Sequence, residues 1–281
     1  MSTLQITPIS GALGAEVTGI DLAAPINEAL QAELDAAFYA HLVLSFPGQQ
    51  LNARQLLELT QSQGGVGETP YLTGLPDYPD VVPIIKEATE KSAITFGAGW
   101  HTDFTFQSMP PSRTLLYAVD VPVVGGDTLY SNLYTAYDAL STGMQEMLEN
   151  MTAVHSATRS YGPQARMKDQ LESMTIVNAE EEPGTITHPV IRTHPVTGRK
   201  ALWINPVYTL HFSNMTLAES APLLKYLNDL AVSPSFTCRV RWHPGTLTMW
   251  DNRCTQHCAT ADYHGQRREM LRTTVAGDVP R

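Results

Sequence analysis

Residues 237–276 read TCRVRWHPGTLTMWDNRCTQHCATADYHGQRREMLRTTVA, three short β-type segments in succession with no helical pattern between them. Cys238, Val240 and Trp242 alternate with Arg239 and Arg241, the period of a half-buried antiparallel strand. Thr246 to Asp251 and Arg268 to Ala276 follow as further strands. In the last of these Arg268, Met270 and Arg272 fall on one face, because successive strand residues point to opposite sides.

The same texture extends towards the N-terminus, with strands expected over Arg113 to Val121, Thr128 to Ser131 and Leu202 to Asn205. Helices interrupt it twice. One is expected from about Thr135 to Asn150. The other begins at Thr216, where Thr216 and Glu219 have capping-box spacing ahead of Leu223, Leu224 and Leu227. Nearer the start, Leu4 to Leu22 mixes β-branched residues with glycines. Asn27 can cap a helix that aligns Leu30, Leu34 and Phe38, a short strand runs from Leu42 to Phe46, and Asn52 can cap a helix over Ala53 to Gln61. GGVGETPYLTGLPDYPD then reads as a long loop, the class of loop that often carries function. Strands in sequence without regular βα alternation predict a mainly β fold with helical insertions, a sandwich or jelly roll rather than a doubly wound parallel sheet.

The chain has 281 residues, 43% hydrophobic and 16% charged, which is ordinary globular composition and long enough for a sizeable core. No repeat or low-complexity segment divides it, so one domain over 1–281 is expected. The formal charge of −10 disfavours nucleic acid and anionic membrane surfaces as partners. No apolar run approaches a membrane span, and MSTLQITPISGALG lacks a basic region followed by an apolar stretch, so a cytoplasmic protein is expected. Cys238, Cys254 and Cys258 are an odd number in a long chain, which suits reduced thiols.

GWHTDFTF places His101 and Asp103 two residues apart, and in an extended strand such residues share a face. CTQHCATADY supplies His257. Two histidines and one carboxylate form the facial triad that holds non-haem Fe(II) and leaves positions open for substrate and dioxygen. A lone His-x-Asp is a weak signal, equally readable as a paired His and Asp in a strand or turn. Arg272, fifteen positions after His257, adds to it. An arginine facing a metal-lined interior needs an anion, and guanidinium binds carboxylates bidentately. The bland alternative places Arg268 and Arg272 on the surface beside Glu269.

HTDFTF, GGDTLY, WDNRCTQH and ADYHGQRREMLRTTVAGD, in this order and spacing, resemble the taurine dioxygenase / 2,4-dichlorophenoxyacetate dioxygenase family of Fe(II)- and 2-oxoglutarate-dependent oxygenases. The resemblance runs from GALGAEVTGIDL through HPVIRTHPVTGRKALWIN to the closing strand. It implies a double-stranded β-helix, or jelly roll, that hydroxylates a small anionic organic substrate while 2-oxoglutarate and dioxygen yield succinate and carbon dioxide. Where the hydroxylated carbon bears an ether oxygen or sulfonate, collapse to a carbonyl and a leaving group follows. It further implies His101, Asp103 and His257 as iron ligands, Arg272 on the distal carboxylate of 2-oxoglutarate, Thr128 as hydroxyl donor to that carboxylate and Arg268 as a supporting arginine. Trp100 and Trp250 are expected to be packing residues that shield the site.

On the substrate side the resemblance implies Thr69, Tyr71, Phe106, Ser160, Tyr161 and Tyr208, with a lid loop over 66–97 and an insertion around 156–187. Taurine enzymes bind sulfonate with a histidine near the position of GETPY, and this chain has no His between His41 and His101. AVHSATRSYG and FTCRVRW are closer to the aryloxypropionate branch of the aryloxyalkanoate enzymes, and sulfonates and sulfate esters remain the other substrate classes. A homodimer or tetramer is implied as well.

Other candidates have plainer readings. Cys254 and Cys258 face away from His257 on an extended strand, and no second cysteine pair completes a zinc site. His188 and His194 precede prolines, which suggests turn roles. His155 reads as a core histidine, and Arg159 either makes a structural salt bridge or meets an anionic substrate. His211, His243 and His264 read as surface residues. Two alternatives stay open: a cupin-like metal oxygenase that ignores 2-oxoglutarate, and a non-catalytic carboxylate-binding protein on the same scaffold.

Overall fold

A computed structural model describes residues 4–281; Met1 to Thr3, the first part of the stretch read for a leader, lie outside the described residues. The elements are β1 (Gln5–Pro8), β2 (Ala15–Thr18), α1 (Glu28–His41), β3 (Val43–Phe46), α2 (Ala53–Ser62), β4 (Val82–Lys86), β5 (Arg113–Asp120) and β6 (Thr128–Asn132). Then come α3 (Leu133–Asp138), α4 (Thr142–Glu149), β7 (Thr152–Ser156), α5 (Thr158–Tyr161), α6 (Met167–Gln170), β8 (Thr185–Pro189), β9 (Ile191–Thr193) and β10 (Lys200–Leu202). The chain closes with β11 (Thr209–Phe212), α7 (Leu217–Ala231), β12 (Thr237–Val240), β13 (Leu247–Asp251), β14 (Thr255–Ala259) and β15 (Arg268–Val275). The protein is mainly β, with few helices.

The helix starts follow local chemistry. Asn27 accepts from the backbone N–H of Leu30, and both Asn52/Gln55 and Thr216/Glu219 close complete capping boxes, satisfying donors that a helix start leaves orphaned. The helix expected over 135–150 is two. α3 stops before Leu140, and Ser141 accepts from the N–H of Met144 to start α4. A serine inside an apolar helical pattern competes for the backbone as a cap, and here the buried Leu140 turns inward at the break.

Seven strands form one sheet in the order β1-β2-β3-β13-β5-β15-β4, antiparallel except for β2 on β3. Its outer face carries Leu44, Phe46, Leu115, Tyr117, Leu247, Met249 and Leu271, packed with Leu34 and Phe38 of α1 and Leu56 and Leu59 of α2. Truncating the fully buried Phe38 to Ala is expected to cost about 3–5 kcal/mol. The alternate residues Val43, Leu116, Ala118, Trp250 and Met270 join the second core on the inner side. Three smaller sheets complete the fold, β12-β6-β14, β11-β7-β8 and β10-β9.

Two expectations shift here. The 66–97 segment contains β4, an edge strand on β15 in which Pro83 stands opposite Leu271. Proline is tolerated at an edge, and the Pro/Gly density around it masked the strand. The strand expected at Leu202 to Asn205 ends at Leu202 and pairs with β9 instead. Among the described residues no helix is long and apolar enough to cross a membrane.

Candidate active site

His101 and His257 stand opposite one another in an isolated antiparallel bridge, exchanging both backbone hydrogen bonds at 3.0 and 2.8 Å. Asp103 does not share a strand face with His101 as expected. The chain turns after Thr102, and Phe104 adopts a left-handed φ of 48°. Non-glycine residues there are strained, and such strain gathers at functional sites. The turn still delivers the carboxylate: Asp103 Oδ1 lies 3.6 Å from His101 Nε2 and 3.8 Å from His257 Nε2. One ligand atom from each of the three residues falls within 4.8 Å of the others, and all three residues are buried.

Their chemical states suit a metal. His101 Nδ1 donates to the carbonyl of Gly99 at 2.7 Å, which leaves the Nε2 lone pair facing the triad centre. Burial raises the Asp103 pKa, but the opposing effect of its charged surroundings, the Arg272 guanidinium foremost, outweighs it and holds the carboxyl well below its usual range. Burial, reinforced by His101 and Arg272, holds the His257 imidazole neutral, its pKa well below the ordinary value. Asp103 Oδ2 accepts from Thr114 Oγ1 at 2.6 Å, and Thr114 accepts from Asn252 Nδ2 at 2.8 Å. Asn252 also accepts from Trp250 Nε1 at 3.0 Å, and the Trp250 ring packs 4.7 Å from His257. A continuous path of contacts therefore braces two of the three triad residues. Trp250 is fully buried as a shielding residue, whereas Trp100 is only half-buried.

Arg272 and Arg268 are buried at 4% and 3% exposure, which removes their surface reading. Arg272 Nη2 lies 2.7 Å from Asp103 Oδ1, and its guanidinium sits 4.7 Å over the Phe104 ring. Neither Nη1 nor Nη2 has a hydrogen-bond acceptor in acceptable geometry, although both are buried. The ion-pair contact of Arg272 to Asp103 leaves buried N–H groups without aligned acceptors, which is costly, so this guanidinium fits a second anion beside the triad. Arg268 donates Nε to the carbonyl of Gly126 at 3.1 Å and faces the rings of Trp242 and Tyr263. Trp242 Nε1 donates to Thr128 Oγ1 at 3.0 Å, so Thr128 and Arg268 share one end of the site. The glycine pair before Asp127 makes this end possible. A Cβ on Gly125 would meet Asp262 O at 2.7 Å, one on Gly126 would meet Arg268 Cδ at 3.2 Å, and both have positive φ.

A narrow cavity of 40 Å³ joins these groups, lined by the triad, Thr128, Arg268 and Arg272. Its walls come from β4, β5, β13 and β15 of the large sheet and from β6 and β14 of the small one, so the site lies between the two sheets. A second cavity of 340 Å³ shares His101 and is lined by Ser160, Tyr161 and Tyr208. Tyr71, at φ 67°, stacks on Tyr161 at 4.8 Å, and Phe106 lies 5.0 Å from Tyr208, whose ring stands 6.2 Å from His101. Thr69 is half-buried and lines neither cavity.

Residues 5–274 match the family model described as taurine catabolism dioxygenase TauD, TfdA family. The chain belongs to the TauD/TfdA family. As a TauD/TfdA protein it is an α-ketoglutarate-dependent dioxygenase, an oxidoreductase whose family works with Fe(II), 2-oxoglutarate and O2, and the His-Asp-His cluster fits that metal. It is 32% identical over 289 residues to the α-ketoglutarate-dependent sulfate ester dioxygenase of Pseudomonas putida, covering 99% of this chain and 91% of that protein. It is 31% identical to the (S)-phenoxypropionate/α-ketoglutarate dioxygenase of Sphingobium herbicidovorans, covering 98% and 95%. The crystal structure of a taurine dioxygenase from Burkholderia xenovorans superposes with a TM-score of 0.82 at 30% identity, covering 99% of this chain and 91% of that one. Family membership removes both alternatives, the cupin-like oxygenase without 2-oxoglutarate and the non-catalytic binder.

Sequence reasoning missed Thr114, Asn252 and Gly99. Thr114 shares strand parity with Leu116 and Ala118 on the inner face, but residues 113–118 are all buried, so no polar and apolar alternation marks it in the sequence. His155 is fully buried on Thr105, and His188 lies in β8 with Nε2 on Gln107 O rather than in a turn. His194 does shape a turn, its Nδ1 accepting from the N–H groups of Val196 and Thr197. His194, Asp251 and Cys254 also converge, but Arg253 binds both carboxylate oxygens of Asp251 at 2.8 and 2.7 Å, and burial pushes the Cys254 thiol well up. That cluster is a satisfied ion pair. His211 is half-buried rather than exposed, whereas His243 and His264 are exposed.

Proposed function

We propose that this chain is a single-domain jelly-roll dioxygenase that hydroxylates a small anionic organic molecule, with His101, Asp103 and His257 holding Fe(II). The observation that carries the reading is the convergence of His101 Nε2, His257 Nε2 and Asp103 Oδ1 beside a buried arginine that is ion-paired to Asp103 and makes no hydrogen bond through Nη1 or Nη2. Bound Fe(II), 2-oxoglutarate and O2 supply the oxidation, delivering hydroxyl to a substrate carbon and releasing succinate and carbon dioxide.

The residues of the chain bind and orient. Thr128 and Arg268 take the distal carboxylate of 2-oxoglutarate and Arg272 the charge nearest the metal. The sequence reading gave the distal end to Arg272; position favours Arg268, because Arg272 abuts Asp103 whereas Arg268 stands with Thr128. Charge-assisted hydrogen bonds of this kind set the register of the cosubstrate as well as its affinity. Trp250 and Tyr130, whose rings lie against His257, exclude water from one side of the metal. Ser160, Tyr161 and Tyr208 line the approach for substrate, Tyr71 and Phe106 support it through ring contacts with Tyr161 and Tyr208, and Thr69 stands at its margin. Sulfate esters, sulfonates and aryloxypropionates are the substrate classes that the relatives suggest, and the lack of a histidine in GETPY disfavours taurine. The 66–97 segment, with β4 inside it, and the 156–187 segment border this approach as lid and insertion. A cytoplasmic homo-oligomer, dimer or tetramer, completes the reading.

The test is succinate formation by purified protein with Fe(II), ascorbate and 2-oxoglutarate across aryloxyalkanoates, alkylsulfonates and alkyl sulfate esters. Succinate stimulated by one class supports the reading and selects the branch. A panel in which no anion raises succinate above the substrate-free rate would overturn the assignment of substrate class.

A further inference from the structure

The 40 Å³ and 340 Å³ cavities share a wall in the run Ser92-Ala93-Ile94-Thr95-Phe96-Gly97: Phe96 and Gly97 line both, and Ile94 and Thr95 line the larger. This run belongs to no helix or strand, and Ala93 and Ile94 are exposed, so it needs ties from outside itself. Lys86, the last residue of β4, is 6% exposed and donates Nζ to the carbonyls of Ser92 at 2.7 Å and Ile94 at 2.6 Å. The Thr95 hydroxyl donates to Tyr263 at 3.2 Å, and the carbonyl of Gly97 accepts at 2.8 Å from the N–H of Ala259, two residues beyond His257. Glu90, 4% exposed, reaches Lys86 Nζ with Oε2 at 3.5 Å, which accounts for the third N–H of the ammonium. Its Oε1 accepts from the N–H groups of Glu87 at 3.3 Å and Ser173 at 3.1 Å. Ser173 lies in the 156–187 segment, so one buried ion pair joins β4, the shared wall and both segments that border the substrate approach.

Well-packed apolar side chains often stabilise a fold as well as a buried ion pair does. Here the pair grips two carbonyls of a segment without secondary structure, which points to orientation rather than to stability. Resting on the dioxygenase reading above, we propose that Lys86 and Glu90 are positioning residues that hold 92–97 as the partition between the cosubstrate and substrate cavities, and so keep oxidation directed at the substrate carbon. In coupled turnover one oxygen atom of O2 enters succinate and the other enters the substrate, one succinate for each hydroxylated product. With the partition displaced, water and reductant reach the narrow cavity, the side reaction that a closed site prevents. The second oxygen atom then leaves as water, taking two electrons and two protons from ascorbate, which becomes dehydroascorbate. Succinate outruns product. Lys86 and Glu90 line neither cavity, so their effect passes through Phe96 and Gly97.

The experiment first uses the full chain loaded with Mn(II) and 2-oxoglutarate and exposed to trypsin. Lys91 is exposed inside the loop that the pair closes, and Lys225 is exposed on α7, outside it. Lys86→Met keeps the length of the side chain and removes its donors. Cleavage after Lys91 is expected to quicken roughly tenfold, the change in open population from one lost charge-assisted hydrogen bond, with cleavage after Lys225 unchanged. Glu90→Gln keeps an acceptor for Glu87 and Ser173, is the milder variant should Lys86→Met not fold, and is expected to act in the same direction. With Fe(II), ascorbate and 2-oxoglutarate, both variants should release more succinate than the wild type in the absence of substrate, while calorimetry of the Mn(II) protein shows 2-oxoglutarate affinity unmoved. With hexyl sulfate or 2-phenoxypropionate, the ratio of succinate to hydroxylated product should rise as well. A wild type that turns over neither probe speaks against the reading of substrate class alone, since the trypsin and substrate-free measurements decide on the partition without it. Unchanged cleavage after Lys91, unchanged substrate-free succinate in a variant whose Lys91 is cut faster, or a parallel rise at Lys225 in both variants would overturn the proposal.

Discussion

Thr114 donates its hydroxyl to Oδ2 of Asp103 at 2.6 Å while accepting from Asn252 at 2.8 Å, which leaves Oδ1 as the oxygen facing His101 and His257. The carboxylate is oriented by a residue that does not itself line the triad cavity. Thr114→Val keeps the volume and removes the donor. Metal affinity is expected to fall about 10–100-fold, the usual cost of losing a partner that orients a ligand. Titration with Mn(II) followed by electron paramagnetic resonance measures it, and an unchanged dissociation constant would show that Asp103 is held by its backbone turn alone.

Removing a ligand is a harsher change. Asp103→Ala, His101→Ala or His257→Ala is expected to abolish iron-dependent turnover, because a triad missing one member loses geometry as well as affinity. Succinate released from 2-oxoglutarate is the readout. Near-normal release by Asp103→Ala would falsify the metal assignment.

The two arginines of β15 should separate in their effects. Arg268→Ala is expected to raise KM for 2-oxoglutarate by about 10–100-fold, since a hydrogen bond to a charged group is worth about 1.5–3 kcal/mol, and to leave Mn(II) binding in place. Arg272→Ala should alter both 2-oxoglutarate affinity and metal binding, because its Nη2 lies 2.7 Å from Asp103 Oδ1. Calorimetry with each ligand alone and then together distinguishes them. Equal effects on both ligands from both variants would remove the division of carboxylates proposed above.

Much of this arrangement was legible in one dimension because local chemistry announces it. Asn27, Asn52 and Thr216 each mark a helix start, and the alternation of Arg268, Met270 and Arg272 put both arginines on one face, which the structure buries. Thr114 was not legible. Residues 113–118 of β5 are buried on both faces, so no polar and apolar alternation distinguishes its inner side. The pairing of His101 with Asp103 came out correctly for the wrong reason. A strand pleat was expected, but the turn at Phe104 does the work, and φ 48° at a phenylalanine has no sequence signature. Likewise β4 is hidden by Pro83, and the break between α3 and α4 rests on a single serine that also fits a continuous helix.

His155 offers a prediction about acid stability. Its Nδ1 accepts from Thr105 Oγ1 at 3.0 Å, a hydroxyl that also accepts from Asn205, and its Nε2 is buried without a partner. Burial first, and the neighbouring His188 second, hold its pKa down to about 3. The unfolded chain has a histidine pKa of about 6.5, so below that pH the unfolded state takes up a proton that the native state refuses. Stability therefore falls as pH drops from about 6.5 towards 3, at up to about 1.4 kcal/mol per pH unit from this residue. His155→Gln keeps a polar group for Thr105 and removes the titration. Urea unfolding at pH 7, 6 and 5 should show the wild type losing more stability than the variant across that range. Parallel losses would mean that the native imidazole takes up the proton too, with Nε2 finding an acceptor on protonation.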